Sequence, residues 1–144
     1  MKYVFYDVET TDKHTSFAQI IQFAALYVDE NLNEIDRFEI RCKLLPHVIP
    51  SPYALAVTGV TPEILNDQSL PTHYEAIIKI KNILESWSPA IFVGFNSLRF
   101  DEELLRQAFF QNLHPPYLTN TNGNLRSDLM RIAISADIQK PNSI

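Results

Sequence analysis

The stretch "FYDVETTD", Phe5 to Asp12, places Asp7 and Glu9 one residue apart at the end of an apolar run, and "FDEELL" places Asp101 at the start of another. If the first run is a strand, Asp7 and Glu9 share one side, about 6.6 Å apart along the chain, while Val8 points to the other. Two ionised carboxylates so placed repel, and burying them uncompensated costs several kcal/mol. A divalent cation resolves the conflict, since oxygen-rich sites are what magnesium and manganese prefer. The triplet alone is weak: with 8 Asp and 9 Glu in 144 residues, about 0.5 Asp-x-Glu triplets arise by chance. A frayed strand end with both acids in water is the competing reading.

Asp101 changes the balance. In "LRFDEELLRQAFFQNL", Leu98 to Leu113, residues Leu104, Leu105 and Ala108 fall three, four and seven positions after Asp101. On a helix, Asp101 therefore heads the stripe that faces a sheet. Glu102 and Glu103 fall off that stripe, and Glu102 can pair with Arg106 on the wet side. The helix dipole alone also favours a first-turn acid, by about 0.3–1 kcal/mol. Asp101 thus gains weight only beside Asp7 and Glu9.

The elements that must position these acids are legible from pattern. "KYVFYDV" (Lys2 to Val8), "QIIQFAALYVD" (Gln19 to Asp29) and "IDRFEIRCK" (Ile35 to Lys43) are short and rich in Val, Ile, Phe and Tyr. They read as strands of an antiparallel meander, the third with one wet face. "SPYALAVTG" reads as a short helix with Ser51 as N-cap, Pro52 at its first position and Gly59 as terminator, and "TPEILND" repeats the pattern with Thr61 and Pro62. A longer helix spans Pro71 to Trp87, with Tyr74, Ile77, Ile78, Ile80, Leu84 and Trp87 on one face. "AIFVGF", Ala90 to Phe95, is a fourth strand, and the Leu98–Leu113 helix follows it. The polar loop "LTNTNGN" then leads to a last helix from Ser127 to Ile138. The fold class is α/β, a mixed sheet flanked by helices in one layered domain over residues 1–144.

Composition sets the class. Hydrophobic residues make up 46% of the chain with 3 Gly, the balance of a chain that builds a core. A single cysteine, Cys42, excludes an internal disulfide, and the apolar start is too short for a signal peptide. The stretch "IIQFAALYV" falls far short of the roughly 20 residues that span a bilayer. A reducing, cytoplasmic setting with no membrane association is expected. The net charge of −5 lacks a general basic footprint for nucleic acid, but acids gathered around metal ions would contribute to the same number.

"DVETT" followed by "NSLRFDEELL" resembles the first two motifs of the DEDD superfamily (DEDDh type) of 3′-to-5′ exonucleases, whose fold is ribonuclease H-like. "FYDVETTDKHTSFAQIIQFAAL", "VTGVTPEIL" and "GFNSLRFDEELLRQAFFQNLHPPY" follow in the same order as in the amino-terminal domain of the bacterial exodeoxyribonuclease I family. The resemblance implies that Asp7, Glu9 and Asp101 are catalytic metal ligands for two magnesium ions, with manganese as an alternative. It implies that main-chain groups around Thr10 and Thr11 meet the 3′-terminal nucleotide, and that Val57, Thr58, Gly59 and Val60 touch terminal bases. It implies hydrolysis of single-stranded DNA to 5′-mononucleotides, with a DNA 3′ end as partner. Phe100 reads as core rather than as a stacking platform.

Two departures accompany the resemblance. Asp12 stands where the wider superfamily often has Gly, adding negative charge near the metals. The third motif, His-x-x-x-x-Asp, would supply a general base and a fourth carboxylate, yet His14, His47, His73 and His114 are followed five residues on by Gln19, Pro52, Ile78 and Thr119. Asp128 in "LRSDLMRIA" matches a structural position in the family, and Asp137 lies near a frayed end. The expectation is a chain that stops before the third motif, either an amino-terminal fragment or a natural truncation. It would be weak or inactive alone. The reading of another class is a non-catalytic module that keeps the nuclease fold and binds a nucleic-acid end or a protein.

Overall fold

Along the first strand, β1 (Lys2–Thr10), Val4, Tyr6 and Val8 are buried while Tyr3, Phe5, Asp7 and Glu9 take the other face. Two faces of unequal character are what a period-two strand covered mainly on one side requires. The computed structural model describes residues 1–14, 18–94 and 100–128. After β1 come β2 (Ile20–Val28), β3 (Glu34–Arg41), α1 (Pro52–Thr58), α2 (Pro62–Leu65) and α3 (His73–Trp87). β4 (Ala90–Gly94), α4 (Asp101–Gln111), a 3-10 turn at Leu118–Asn120 and β5 (Leu125–Asp128) complete the described chain.

The five strands lie in the order β3-β2-β1-β4-β5. β1, β2 and β3 form the expected antiparallel meander, while β4 pairs parallel to β1 and β5 parallel to β4. Val8 faces Phe23 across the β1–β2 pair, and Phe23 faces Ile40 in turn. That shared face carries the main core, onto which α3 brings Ile77, Ile80 and Leu84 and α4 brings Leu104, Leu105, Ala108 and Phe109. Trp87 closes one end: its ring stacks on Tyr27 at 5.2 Å and its Nε1 donates to Asp36 Oδ2 at 3.2 Å. The opposite face of the sheet is more open, with Tyr3, Phe5, Leu26 and Ile91 only half buried.

Local signals account for the helices. Ser51 Oγ accepts from Ala54 N at 3.0 Å, Thr61 Oγ1 from Ile64 N at 3.3 Å and Thr72 Oγ1 from Glu75 N at 3.2 Å, three side-chain N-caps on three successive helices. Gly59 ends α1 at φ +71°, and its N–H donates to Leu55 O. No atom lies within 4 Å of where a Cβ would stand there, so Gly59→Ala meets backbone strain alone, about 1 kcal/mol. Urea denaturation should show that loss with an unchanged slope; a stabilised variant would contradict the account.

Three expectations need correction. The helix expected from Ser127 does not begin there: Ser127 and Asp128 belong to β5, and the rest of that expectation lies outside the described residues. "LRSD" has little strand propensity, and pairing with β4 imposes the conformation. On α3, Tyr74 is exposed and stacks on His114, while His73 and Ala76 are buried instead. Burial lowers the proton affinity of His73, whose Nδ1 sits 3.4 Å from Asn112 Nδ2. Glu102, expected in water beside Arg106, is buried, and Glu103 is the residue near Arg106. The turn at Leu118–Asn120 and β5 contribute the groups that cover this second side of α4.

Cys42 is buried, and burial pushes its thiol up to about 11, partly offset by a contact from Gln19 Nε2. At neutral pH it is an inert thiol. Among the described residues, no helix is long and apolar enough to cross a membrane.

Candidate active site

Because β1 and β4 run parallel, their carboxyl ends meet at one edge of the domain, and α4 begins within the field of the acids there. Asp7 and Glu9 lie toward the carboxyl end of β1 on the more open face, with Val8 turned into the core as the spacing predicts. Asp101 is the first residue of α4 and is only 5% exposed. Leu104, Leu105 and Ala108 behind it seat the helix against the sheet, as expected.

The acids act on one another. Burial, and then the charges of Asp7, Glu9, Asp128 and Glu102, push the Asp101 carboxyl from the usual 3.8 up to about 7. The protein around the Asp7 carboxyl raises its proton affinity even though the residue as a whole is exposed; a hydrogen bond from Val8 N–H offsets part of this. Glu9 is raised by burial first and by the charge of Asp7 second. A donor set of carboxylates that resists ionisation is one that a hard divalent cation relieves, so the chemistry fits magnesium or manganese. As placed, the acids share a field without forming a chelate: among the described residues, no three His, Cys, Asp or Glu side chains are close enough to hold an ion.

Beside Glu9 lies a cleft of about 140 Å³, bordered by Thr10, Asp12, Tyr53, Val57, Thr58 and Phe100 among others. Of the residues expected to meet a nucleotide, Thr10, Val57 and Thr58 line it. The other three do not. Thr11 is buried, with its N–H donating to Gln19 O at 3.0 Å and its carbonyl accepting from Ser51 N at 2.8 Å. Gly59 caps α1, and Val60 packs with Ile21 and Leu65 in a second apolar cluster. Phe100 packs against the main core, as expected, and shows one edge to the cleft. Asp12 also lines the cleft, and its Oδ1 accepts from Lys13 N at 2.6 Å.

One residue, Tyr53, escaped the sequence reading, and a second, Asp128, was given only a structural position there. Tyr53, 67% exposed, borders the cleft; an aromatic residue left in water in the first turn of a capped helix was the available signal. Asp128 ends β5 opposite Gly94, is buried, and contributes charge at Asp101. Asp137, at the other end of the same expected helix, lies outside the described residues.

A family profile described as exonuclease (RNase T) matches residues 4–135. The chain belongs to the exonuclease family. Within it, exodeoxyribonuclease I of Buchnera aphidicola subsp. Schizaphis graminum is 30% identical over 146 residues, which cover 100% of this chain and 30% of that protein. The Escherichia coli K12 exodeoxyribonuclease I is 29% identical over 145 residues, covering 99% of this chain and 30% of the relative. The zinc-bound complex of E. coli exonuclease I with single-stranded DNA superposes with a TM-score of 0.86 at 27% identity, over 94% of this chain and 29% of that one. Exonuclease I of Methylocaldum szegediense gives 0.83 at 32% identity, over 91% and 28%. The E. coli protein has also been solved with single-stranded DNA in a metal-free form.

The exonuclease chain described here therefore spans about 30% of the length of the curated relatives it matches. Its five-stranded mixed sheet with flanking helices is the ribonuclease H-like fold of exonuclease I. The resemblance drawn from "DVETT", "VTGVTPEIL" and "FDEELL" holds at the level of family and fold.

Proposed function

We propose that residues 1–144 form one exonuclease domain of a magnesium-dependent enzyme that removes 5′-mononucleotides from the 3′ end of single-stranded DNA. The observation that carries this reading is Asp101, buried at the head of α4 in the combined field of Asp7 and Glu9. The E. coli relative bound to single-stranded DNA supports the substrate class. Asp7, Glu9 and Asp101 would hold two divalent ions; such ions neutralise the scissile phosphate and acidify the attacking water.

The chain's own residues do the rest. Thr10, Val57 and Thr58 border the space beside Glu9 where the terminal nucleotide sits, and the ring of Tyr53 offers it an apolar edge. The Asp101 carboxyl is pushed up to about 7, and a cation held there would displace its proton to solvent. With no His-x-x-x-x-Asp in its sequence, the chain lacks a positioned base of the kind that contributes roughly 10² to 10⁴ in rate. The 144 residues alone are therefore weak or inactive.

Single-stranded DNA labelled at its 5′ end, incubated with the 144-residue chain and magnesium, should shorten slowly or not at all from the 3′ end. Any shortening should vanish with Asp7→Ala and with chelator. Rapid digestion would refute the weakness, and shortening that survives chelation would refute the metal mechanism. Tight 3′-end binding with no shortening by any longer product of the same gene would favour the non-catalytic module. A parallel series on RNA oligomers separates DNA from RNA preference.

A further inference from the structure

Glu102 has no part in the chemistry proposed above, yet it is among the most deeply buried side chains of the chain, at 1% exposure. Tyr6 Oη donates to its Oε1 at 3.3 Å, and Thr119 Oγ1 donates to its Oε2 at 2.8 Å while also touching Oε1. Arg126 Nη1 stands 3.9 Å from Oε2, the nearest compensating charge. A buried carboxylate is a poor way to gain stability, because its desolvation offsets most of what its partners return. Two of its partners, and Glu102 itself, share a different property, their place along the chain, while Thr119 lies on the 3-10 turn that leads into β5. Tyr6 directly precedes Asp7 on β1, Glu102 directly follows Asp101 on α4, and Arg126 lies two residues before Asp128 on the same face of β5.

We infer that Glu102 is a positioning residue for the metal site: one buried carboxylate joins the three elements that carry Asp7, Asp101 and Asp128 and sets the spacing between those acids. The inference rests on the reading of Asp7, Glu9 and Asp101 as cation ligands. β1 and α4 contribute to one apolar core, and apolar packing carries little directional information. Hydrogen bonds from Tyr6 and Thr119 supply that direction. The effect belongs with the outer partners that orient metal-binding side chains.

Thr119→Val removes one donor at nearly constant volume, Thr119→Ser restores it, and Tyr6→Phe removes the other donor while keeping the ring. Manganese binding to each full 144-residue chain would be followed by calorimetry and by the electron paramagnetic resonance spectrum of the bound ion, with melting curves in metal-free buffer alongside. Thr119→Val should weaken manganese binding about tenfold and broaden the spectrum, with Tyr6→Phe in the same direction and Thr119→Ser close to wild type. Lower melting temperatures with unchanged manganese affinity in Thr119→Val and Tyr6→Phe would overturn the inference and leave Glu102 a packing residue. Should Thr119→Val fail to fold, Tyr6→Phe decides by the same criterion. A wild-type chain that binds no manganese would overturn the reading of the acids, and the inference with it.

Discussion

Asp101→Asn should make the metal-free chain more stable than wild type at pH 8 and remove its response to divalent cations. Well below pH 3.8 the acid is protonated in both folded and unfolded chains, so the two proteins should melt together there. Between the ordinary value of 3.8 and the folded value of about 7, the unfolded chain has released a proton that the folded chain keeps. Stability therefore falls as pH rises through that window, and above it the full cost, at most about 4 kcal/mol, is in place. Asn never bears the charge and escapes the cost. The expected difference in melting temperature at pH 8 in chelator is on the order of 10 °C in favour of the variant. Adding manganese should raise the wild-type melting temperature and leave Asp101→Asn where it was. A variant that melts at or below wild type at pH 8 would show that the acid is not under the strain its surroundings imply.

Phe92→Ala is the second large effect, and it acts on the scaffold. Phe92 is 1% exposed at the centre of β4, opposite Val4 on β1 and Arg126 on β5, with its ring edge-on to Tyr6 at 6.3 Å. Removing the ring deletes its transfer free energy and leaves a cavity that rigid strands on both sides cannot close, about 3–5 kcal/mol. Against a total of about 5–15 kcal/mol for an ordinary domain, that loss should bring the urea midpoint down steeply with little change in slope. Phe92→Leu fills most of the space and should cost less than half as much. Equal midpoints for Phe92→Ala and wild type would mean that β4 is not the interior strand, held between β1 and β5, that the pairing makes it.

Much of the fold was legible because its signals are local. Ser51, Pro52 and Gly59 mark both ends of α1 within nine residues of sequence, and the structure uses each as expected. Asp7 and Glu9 could be assigned to one face because a strand allows only two. What escaped detection depends on residues distant in sequence. Glu102 looked wet because the apolar stripe of α4 defines a single buried side, against the sheet. The second buried side exists only once Thr119 and Arg126 return over the helix. Arg126 does so on a strand that its own residues do not favour and that β4 imposes. Val60 follows the same logic: Val57 and Thr58 border the cleft, but contact with Ile21 and Leu65 draws Val60 inward.

The alternation along β1 bears on how reliably the chain folds as well as on what it binds. Tyr3 and Phe5 on one face are nearly as apolar as Val4, Tyr6 and Val8 on the other, so hydrophobicity alone scarcely says which face belongs inside. Sliding β1 by one residue against β2 would exchange the faces. It would also drive Asp7 and Glu9 into the core, an error made prohibitive by the cost of burying two unpaired charges. The same two carboxylates that suit a cation thus act during folding as a check on strand alignment. Replacing both with apolar residues would remove the proposed ligand pair and, with it, the penalty that rejects the misaligned chain.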